Sequence, residues 1–300
     1  RDDVESRGLG DVYKRQGQID DIADINDSNV RMKHTFEAQI VNHKDSLGKI
    51  YSITSKLDQY EPEEVLFYAA QILEQLMDSK DVAIYSVANG DYARLFSFTS
   101  ETAEKMGNSI HYSAMEEMYN ELKEDRVFIN KNMNPEYPLM ANAIYSENEM
   151  QIILMVWGIP WERMNLAEAN RLRVIGYLIQ NAVVRANRYL DALREERYME
   201  GTDILKEDAF IHLVTAFSNA KRDGLAECTL IKMGVSRGEF QRTARKIEKN
   251  LRRSDYMGLM EDRLYVLLTN TDEENAGYVL KRFQEIGCEG TVAREEVAGC

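Results

Sequence analysis

Ten basic side chains fall between Lys221 and Arg253, against four acidic ones: Asp223, Glu227, Glu239 and Glu248. This local +6 sits in a chain of 300 residues whose formal charge is −14. Such a concentration of cations can gather an anionic ligand. A solvated helix face accounts for the same pattern on charge alone. Other chemistries find less support. Cys228, Cys288 and Cys300 form no CxxC pair, which fits a reducing compartment and excludes a disulfide scaffold. His34, His43, His111 and His212 are scattered without an HExxH, so a histidine-based metal site is not expected. His212 reads as a structural histidine, and Trp157 and Trp161 as packing at a strand end. Overall acidity argues against nucleic acid or an anionic membrane as partner. No apolar run of about 18 residues is present to span a bilayer.

The elements that must position these residues follow from periodicity. Residues 6–16, SRGLGDVYKRQ, resemble the translation of a transposase-type sequencing adapter, so 1–16 are set aside as artefact. Gly17 is then expected to be a truncation point, with the natural chain continuing upstream. Residues 28–59 show a helical stripe from Val30 to Leu57, as an amphipathic or coiled-coil helix would give. Pro62 can open a helix reaching about residue 77. VAIYSV (82–87) and YARLFSF (92–98) are β-rich runs about an Asn-Gly, a hairpin signal. A helix holding Met115, Met118, Tyr119 and Leu122 follows; its methionines read as core filler. RVFIN (126–130) and MQIILMVWGIP (150–160) are expected strands. Asn165 with Glu168 is a capping-box-like start for a long helix to about Met199.

Past Gly201 the pattern alternates: helix 205–221, strand CTLIKM (228–233), helix 238–251, strand RLYVLLT (263–269), helix 273–286 and a last strand in 291–297. The expected fold class is mixed α/β (α+β): an antiparallel sheet with flanking helices, then an α/β sandwich of about one hundred residues.

LRRSDYMGLMEDRLYVLLTNTDEENAGYVLKRF (251–283) resembles the GGDEF domain of diguanylate cyclases. Leu251, Arg252, Ser254 and Asp255 match the family's LRxSD helix end. Tyr265–Leu268, Thr271, Asp272, Ala276 and Arg282 match the strand, turn and helix that follow. Where the GGDEF signature should stand the chain has roughly EDRLY (261–265). Glycines there would let the backbone approach phosphates; Glu261 and Asp262 add side chains and negative charge. The Gly234–Arg237 segment after CTLIKM has no carboxylate to hold the cyclase's metal. Phosphoryl transfer depends on that metal, so the expectation is a catalytically inactive domain.

What the resemblance leaves is the family's inhibitory-site motif RxxD, Arg252 with Asp255. The pattern occurs twice in the chain, the other pair being Arg188 and Asp191, so position rather than pattern gives it weight. A turn pair of purely structural role is the alternative. The chemistry suits cyclic-di-GMP. An arginine fork can donate to guanine O6 and N7 or to a phosphate. An aspartate can accept from guanine N1–H and N2–H. By the same resemblance Arg282 is a secondary effector arginine, and Arg253 adds positive charge nearby.

Residues 60–199 resemble a GAF domain in element order. A GAF domain before a degenerate GGDEF domain with intact RxxD is similar to the PelD family of cyclic-di-GMP receptors of Pel exopolysaccharide secretion. The resemblance divides the chain into a helical linker (17–59), a GAF-like domain (60–199) and a degenerate GGDEF-like domain (200–300). It implies a non-enzymatic receptor with no cofactor beyond its effector ligand cyclic-di-GMP. Its partners would be exopolysaccharide secretion proteins, with homodimerisation compatible. This portion is expected in the cytoplasm, and any membrane anchor in an upstream segment. In the family the GAF domain lends an arginine to the ligand; Arg94 and Arg126 are the candidates, and no motif selects between them. Two other readings stand beside this one: a dimerisation or partner-binding scaffold without nucleotide binding, and a divergent diguanylate cyclase.

Overall fold

The computed structural model describes residues 59–293 except Asn89, Glu147 and Arg253, together with Gly48, Ser55 and Leu57. The expected helix over 28–59 lies largely outside the described residues, although Leu57 is buried. The expected last strand is present as Gly290–Val292, and the rest of it also lies outside.

Helix α1 spans Val65–Met77, three residues later than Pro62 suggested, and buries one face through Val65, Ala69, Ile72, Leu73 and Leu76. Strands β1 (Val82–Val87) and β2 (Ala93–Phe98) pair antiparallel as the Asn-Gly signal predicts, and the Ala88 N–H donates to Tyr92 O across the turn. Short helix α2 (Glu101–Glu104), strand β3 (Ser109–Ile110) and helix α3 (Glu116–Lys123) follow. Strand β4 is only Phe128–Ile129. Strands β5 (Met140–Ser146) and β6 (Glu149–Val156) make a hairpin. The sheet runs β3-β2-β1-β6-β5-β4, antiparallel throughout.

Strand β5 is absent from the sequence reading. MANAIYS has alanines and an asparagine where a strand would show branched residues, and its burial comes from helix α4 (Leu166–Ala192) lying across it. Gly176 permits that approach: a Cβ there would meet Asn142 Nδ2 at 2.2 Å. The α4 cap is as expected on one side only. Asn165 accepts from the Glu168 N–H at 3.1 Å, but the buried Glu168 carboxylate takes Arg163 and Arg171 instead of returning to the cap. The helix stops at Ala192 rather than Met199; after Leu193 a single turn, α5 (Arg194–Arg197), leads into extended backbone at Tyr198.

The second sheet holds β7 (Ile204–Leu205), β8 (Cys228–Met233), β9 (Tyr256–Met260), β10 (Arg263–Thr269) and β11 (Gly290–Val292), ordered β11-β8-β10-β9-β7. Only β7 with β9 is parallel. Helix α6 (Glu207–Arg222) covers one face, and α7 (Phe240–Glu248) and α8 (Glu273–Glu285) the other. Alternation along β10 divides accordingly. Tyr265 and Leu267 join the α6 core, while Leu264, Val266 and Leu268 join the α7–α8 core. The continuous apolar run marks a strand buried on both faces. Gly258 lets α6 seat on β9, since a Cβ would meet the Phe210 ring at 2.1 Å. The mixed α+β architecture expected from the sequence is the one observed.

Both sheets belong to one compact unit. Phe67 of α1 stacks on Phe96 of β2 at 4.7 Å and meets Phe217 of α6 edge-on at 4.9 Å. The Phe98 N–H donates to Leu225 O at 2.9 Å. Glu63 and Arg197 make a largely buried ion pair beside this seam.

Candidate functional site

Arg252 and Asp255 occupy the connection between α7 and β9. The chain turns tightly there: the Asp255 N–H donates to Arg252 O at 3.0 Å. Both carboxylate oxygens of Asp255 are used. Oδ2 accepts from the Arg252 N–H at 3.0 Å, and Oδ1 from the Thr269 N–H at 3.1 Å. Asp255 therefore pins the turn to the end of β10. Burial raises its pKa above the usual aspartate value, against the opposing pull of those two N–H groups and the charges of Arg252 and Arg94. The Arg252 side chain is held loosely, Nη1 donating to Thr271 Oγ1 at 3.4 Å. Among the described residues no ion pair joins Arg252 to Asp255, so most of the fork's donors remain for another partner.

The first sheet brings a second cation to this corner. Arg94 of β2 is half-buried, and its pKa is lowered first by burial and then by the charge of Arg252, with Asp255 raising it. Arg94 is thus within electrostatic reach of both. Arg126 is elsewhere: Nε bonds Glu121 Oε2 at 2.7 Å, and Nη1 bonds Glu124. The geometry selects Arg94 over Arg126 as the first-sheet arginine near the RxxD turn.

A cavity of about 840 Å³ opens beside Arg94, bounded by Ser254, Tyr256, Thr269 and Asn270 on one side and by Tyr119 of α3 and Tyr145 of β5 on the other. Its size suits a small-molecule ligand. Ser254 and Thr269 flank Asp255 directly, although Arg252 and Asp255 do not themselves line it.

Arg282 is exposed on the last turn of α8, nine residues past the helix start beside Thr271. At 1.5 Å rise per residue it stands on the order of 15 Å along the axis from Thr271. This sets it apart from the Arg252 turn along the helix. Arg253 lies outside the described residues.

The degenerate signature has its own geometry. Met260 pairs Arg263, leaving Glu261 and Asp262 as a two-residue turn with φ +51° and +55°. The backbone keeps the left-handed conformation that favours glycine, without the glycines. The Glu261 N–H, which a phosphate would need, donates to Glu207 Oε1 at 2.8 Å, and Asp262 pairs with Arg237 at 3.5 Å. Among the described residues no group of three or more His, Cys, Asp or Glu side chains is placed to hold a metal ion, and no helix is long and apolar enough to cross a membrane.

Sequence reasoning missed the supports. Thr269 carries Asp255, Thr271 carries Arg252, and Thr229 Oγ1 donates to Thr271 O at 2.6 Å. Asn270 was missed too. It adopts φ +45°, donates from Nδ2 to Leu95 O, and accepts at its own carbonyl from Asn108 Nδ2 at 3.2 Å. The only signal was polarity at the end of an apolar strand.

No family model matches the chain, and no curated protein matches it. Among solved structures it is similar to a C-terminal portion of PelD from Pseudomonas aeruginosa, at 13% identity over 83% of this chain and 93% of that one, with a TM-score of 0.35. A complex of the same protein with c-di-GMP matches at 15% identity over 82% and 89%, TM-score 0.37. The GAF domain of an Acinetobacter phosphoenolpyruvate-protein phosphotransferase matches at 12% over 48% and 96%, TM-score 0.38.

Proposed function

We propose that this chain is a non-catalytic receptor for cyclic-di-GMP that regulates Pel-type exopolysaccharide synthesis or secretion. The observation that carries the reading is that Arg94, from the first sheet, lines one cavity with Ser254 and Thr269, the neighbours of Asp255, and lies within electrostatic reach of Arg252 and Asp255 on the α7–β9 connection. Two cations beside one buried carboxylate leave a net positive corner in which the cations repel each other. A ligand with two phosphates relieves that repulsion. Arg252 would grip guanine O6 and N7 or a phosphate, and the free lone pairs of Asp255 would accept from N1–H and N2–H, which adenine does not offer. Arg94 would take the other phosphate. A ligand held from both sheets binds best in one arrangement of them and shifts the population toward it, a change that a secretion partner can read. The occupied Glu261 N–H and the side chains of the 261–262 turn support absence of cyclase activity.

Isothermal titration of the full chain with cyclic-di-GMP tests the reading. The parent should bind and should ignore cyclic-di-AMP. Arg252→Ala and Arg94→Ala should each weaken binding by about tenfold or more, the loss of a charge-assisted contact. No binding by the parent, or equal binding of the adenine dinucleotide, refutes the proposal. GTP with Mg²⁺ should remain unconverted.

A further inference from the structure

A chamber of about 350 Å³ lies where α1 and α4, which flank the first sheet, meet α6 and β9 of the second. Helix α1 gives it Val65, α4 Val183 and Ala186, α6 Leu213 and Phe217, and β9 Tyr256. The sequence itself makes the room. The buried stripe of α4 runs Leu172, Ile175 and Ile179, then falls to Ala182, Val183 and Ala186 as the helix nears the chamber. Protein interiors leave few voids larger than a water molecule, and one water needs only about 10–15 Å³. Waters placed here would find few partners on aliphatic and aromatic walls, so an apolar guest gains by displacing them. Charge does not invite an ion. Among the lining residues Glu63 and Asp191 balance Arg194 and Arg197; Glu63 and Arg197 pair with each other, and Arg194 takes Asp203 at 2.7 Å. The Tyr256 hydroxyl is left over, with no hydrogen-bond partner among the described residues. Burial pushes its pKa up to about 12, the charges of Tyr198 and Asp255 adding to the rise, so it stays protonated and can donate. Leu66, Phe96, Val183, Asn187 and Tyr256 also face the cavity beside Arg94, whereas Arg94, Ser254 and Thr269 line only that cavity. The two spaces share a wall and differ in chemistry.

We propose that this chamber is a binding site for a small, neutral, largely apolar molecule with a hydroxyl or carbonyl oxygen to accept from Tyr256. The apolar body fills the space between α4 and α6, and the oxygen meets the otherwise unpartnered hydroxyl. Mostly apolar walls with few polar contacts are the pattern that small-molecule sites share. Neither the Arg252 corner nor its ligand enters this inference.

The probe is 1-naphthol, uncharged at neutral pH, titrated into the full chain by calorimetry. Binding is expected in the parent. The anionic 1-naphthoate, of similar size, should bind about tenfold or more weakly, because the lining has no spare cation. Ala186→Phe fills the chamber and should abolish binding while keeping the melting temperature at or above the parent's. Tyr256→Phe keeps the ring and should lose about three- to tenfold in affinity, the loss of one hydrogen bond. Ser254→Tyr narrows only the cavity beside Arg94 and should bind 1-naphthol as the parent does. No binding by the parent overturns the proposal, as do naphthoate binding as tight as that of naphthol, binding that survives Ala186→Phe, and binding lost in Ser254→Tyr. Should Ala186→Phe fail to fold, Tyr256→Phe decides, and unchanged affinity there overturns the proposal.

Discussion

Asn270 joins the ligand corner to the first sheet, and its replacement has a cost that can be apportioned. The residue is 7% exposed, follows Thr269, and sits at φ +45°. Its N–H donates to Glu227 O at 2.7 Å, its Nδ2 to Leu95 O, and its carbonyl accepts from Asn108. Asn270→Gly keeps the backbone conformation and both main-chain bonds, but deletes the Leu95 contact. Leaving that buried carbonyl without its partner costs about 1–2 kcal/mol. Loss of the buried Asn270 Oδ1, which has no partner, offsets part of it. Glycine adds about 0.5–1 kcal/mol through the greater freedom of the unfolded chain. Asn270→Ala escapes that entropy but incurs about 1–2 kcal/mol for a Cβ in the left-handed region. Alanine should therefore be worse than glycine by roughly 0.5–1 kcal/mol. Asn270→Asp should be worst, because a buried carboxylate would face the Leu95 carbonyl. Urea denaturation followed through Trp157 and Trp161 fluorescence gives the order. If alanine equals glycine, the backbone account fails; if aspartate matches glycine, the carboxylate is not held against the Leu95 carbonyl; if glycine matches the parent, the Leu95 bond is not contributing. The glycine variant should also bind cyclic-di-GMP several-fold more weakly, since Leu95 adjoins Arg94.

Arg94→Met should leave unliganded stability intact or raise it, because it removes repulsion with Arg252, while weakening cyclic-di-GMP binding by about tenfold or more; paired melting and titration experiments read the opposite signs, and parallel losses would contradict the assignment. Replacing Glu261-Asp262 by Asn-Gly should stabilise the fold by about 1 kcal/mol, a melting increase of roughly 2–4 °C, by relieving two left-handed non-glycine residues. A lower melting temperature would show the turn is not strained. The raised pKa of Asp255 has a pH signature. Folding favours its protonated form, so its contribution to stability is complete below the ordinary 3.8 and is lost as pH rises through the folded value. Because the ligand needs the ionised acceptor, titrations at falling pH should show affinity declining before the ordinary aspartate pKa is reached. Affinity unchanged down to that pKa would remove Asp255 from the guanine contact.

Where local physics suffices, residues and structure agree to the residue. CTLIKM and RLYVLLT are continuous apolar runs bounded by polar residues, and they are β8 and β10. Asn165 caps α4 because an N-cap needs only the next turn of chain. The RxxD turn closes on itself through Arg252 and Asp255 in the same way. Long-range packing decided the rest. MANAIYS becomes a strand because α4 covers it, with Gly176 of the helix seated against Asn142 of the strand. Arg94 and Arg126 are chemically equivalent on paper. Only the packing of one sheet against the other carries β2 to the end of β10, where Asn270 bonds Leu95 O and Thr269 holds Asp255, and leaves Arg126 with Glu121. Residue type and spacing settle what a side chain can bond within a turn or two. Which charges meet across sheets is settled by the packing that buries Phe67, Phe210 and Phe217, because only burial brings residues distant in sequence within a few ångströms of each other.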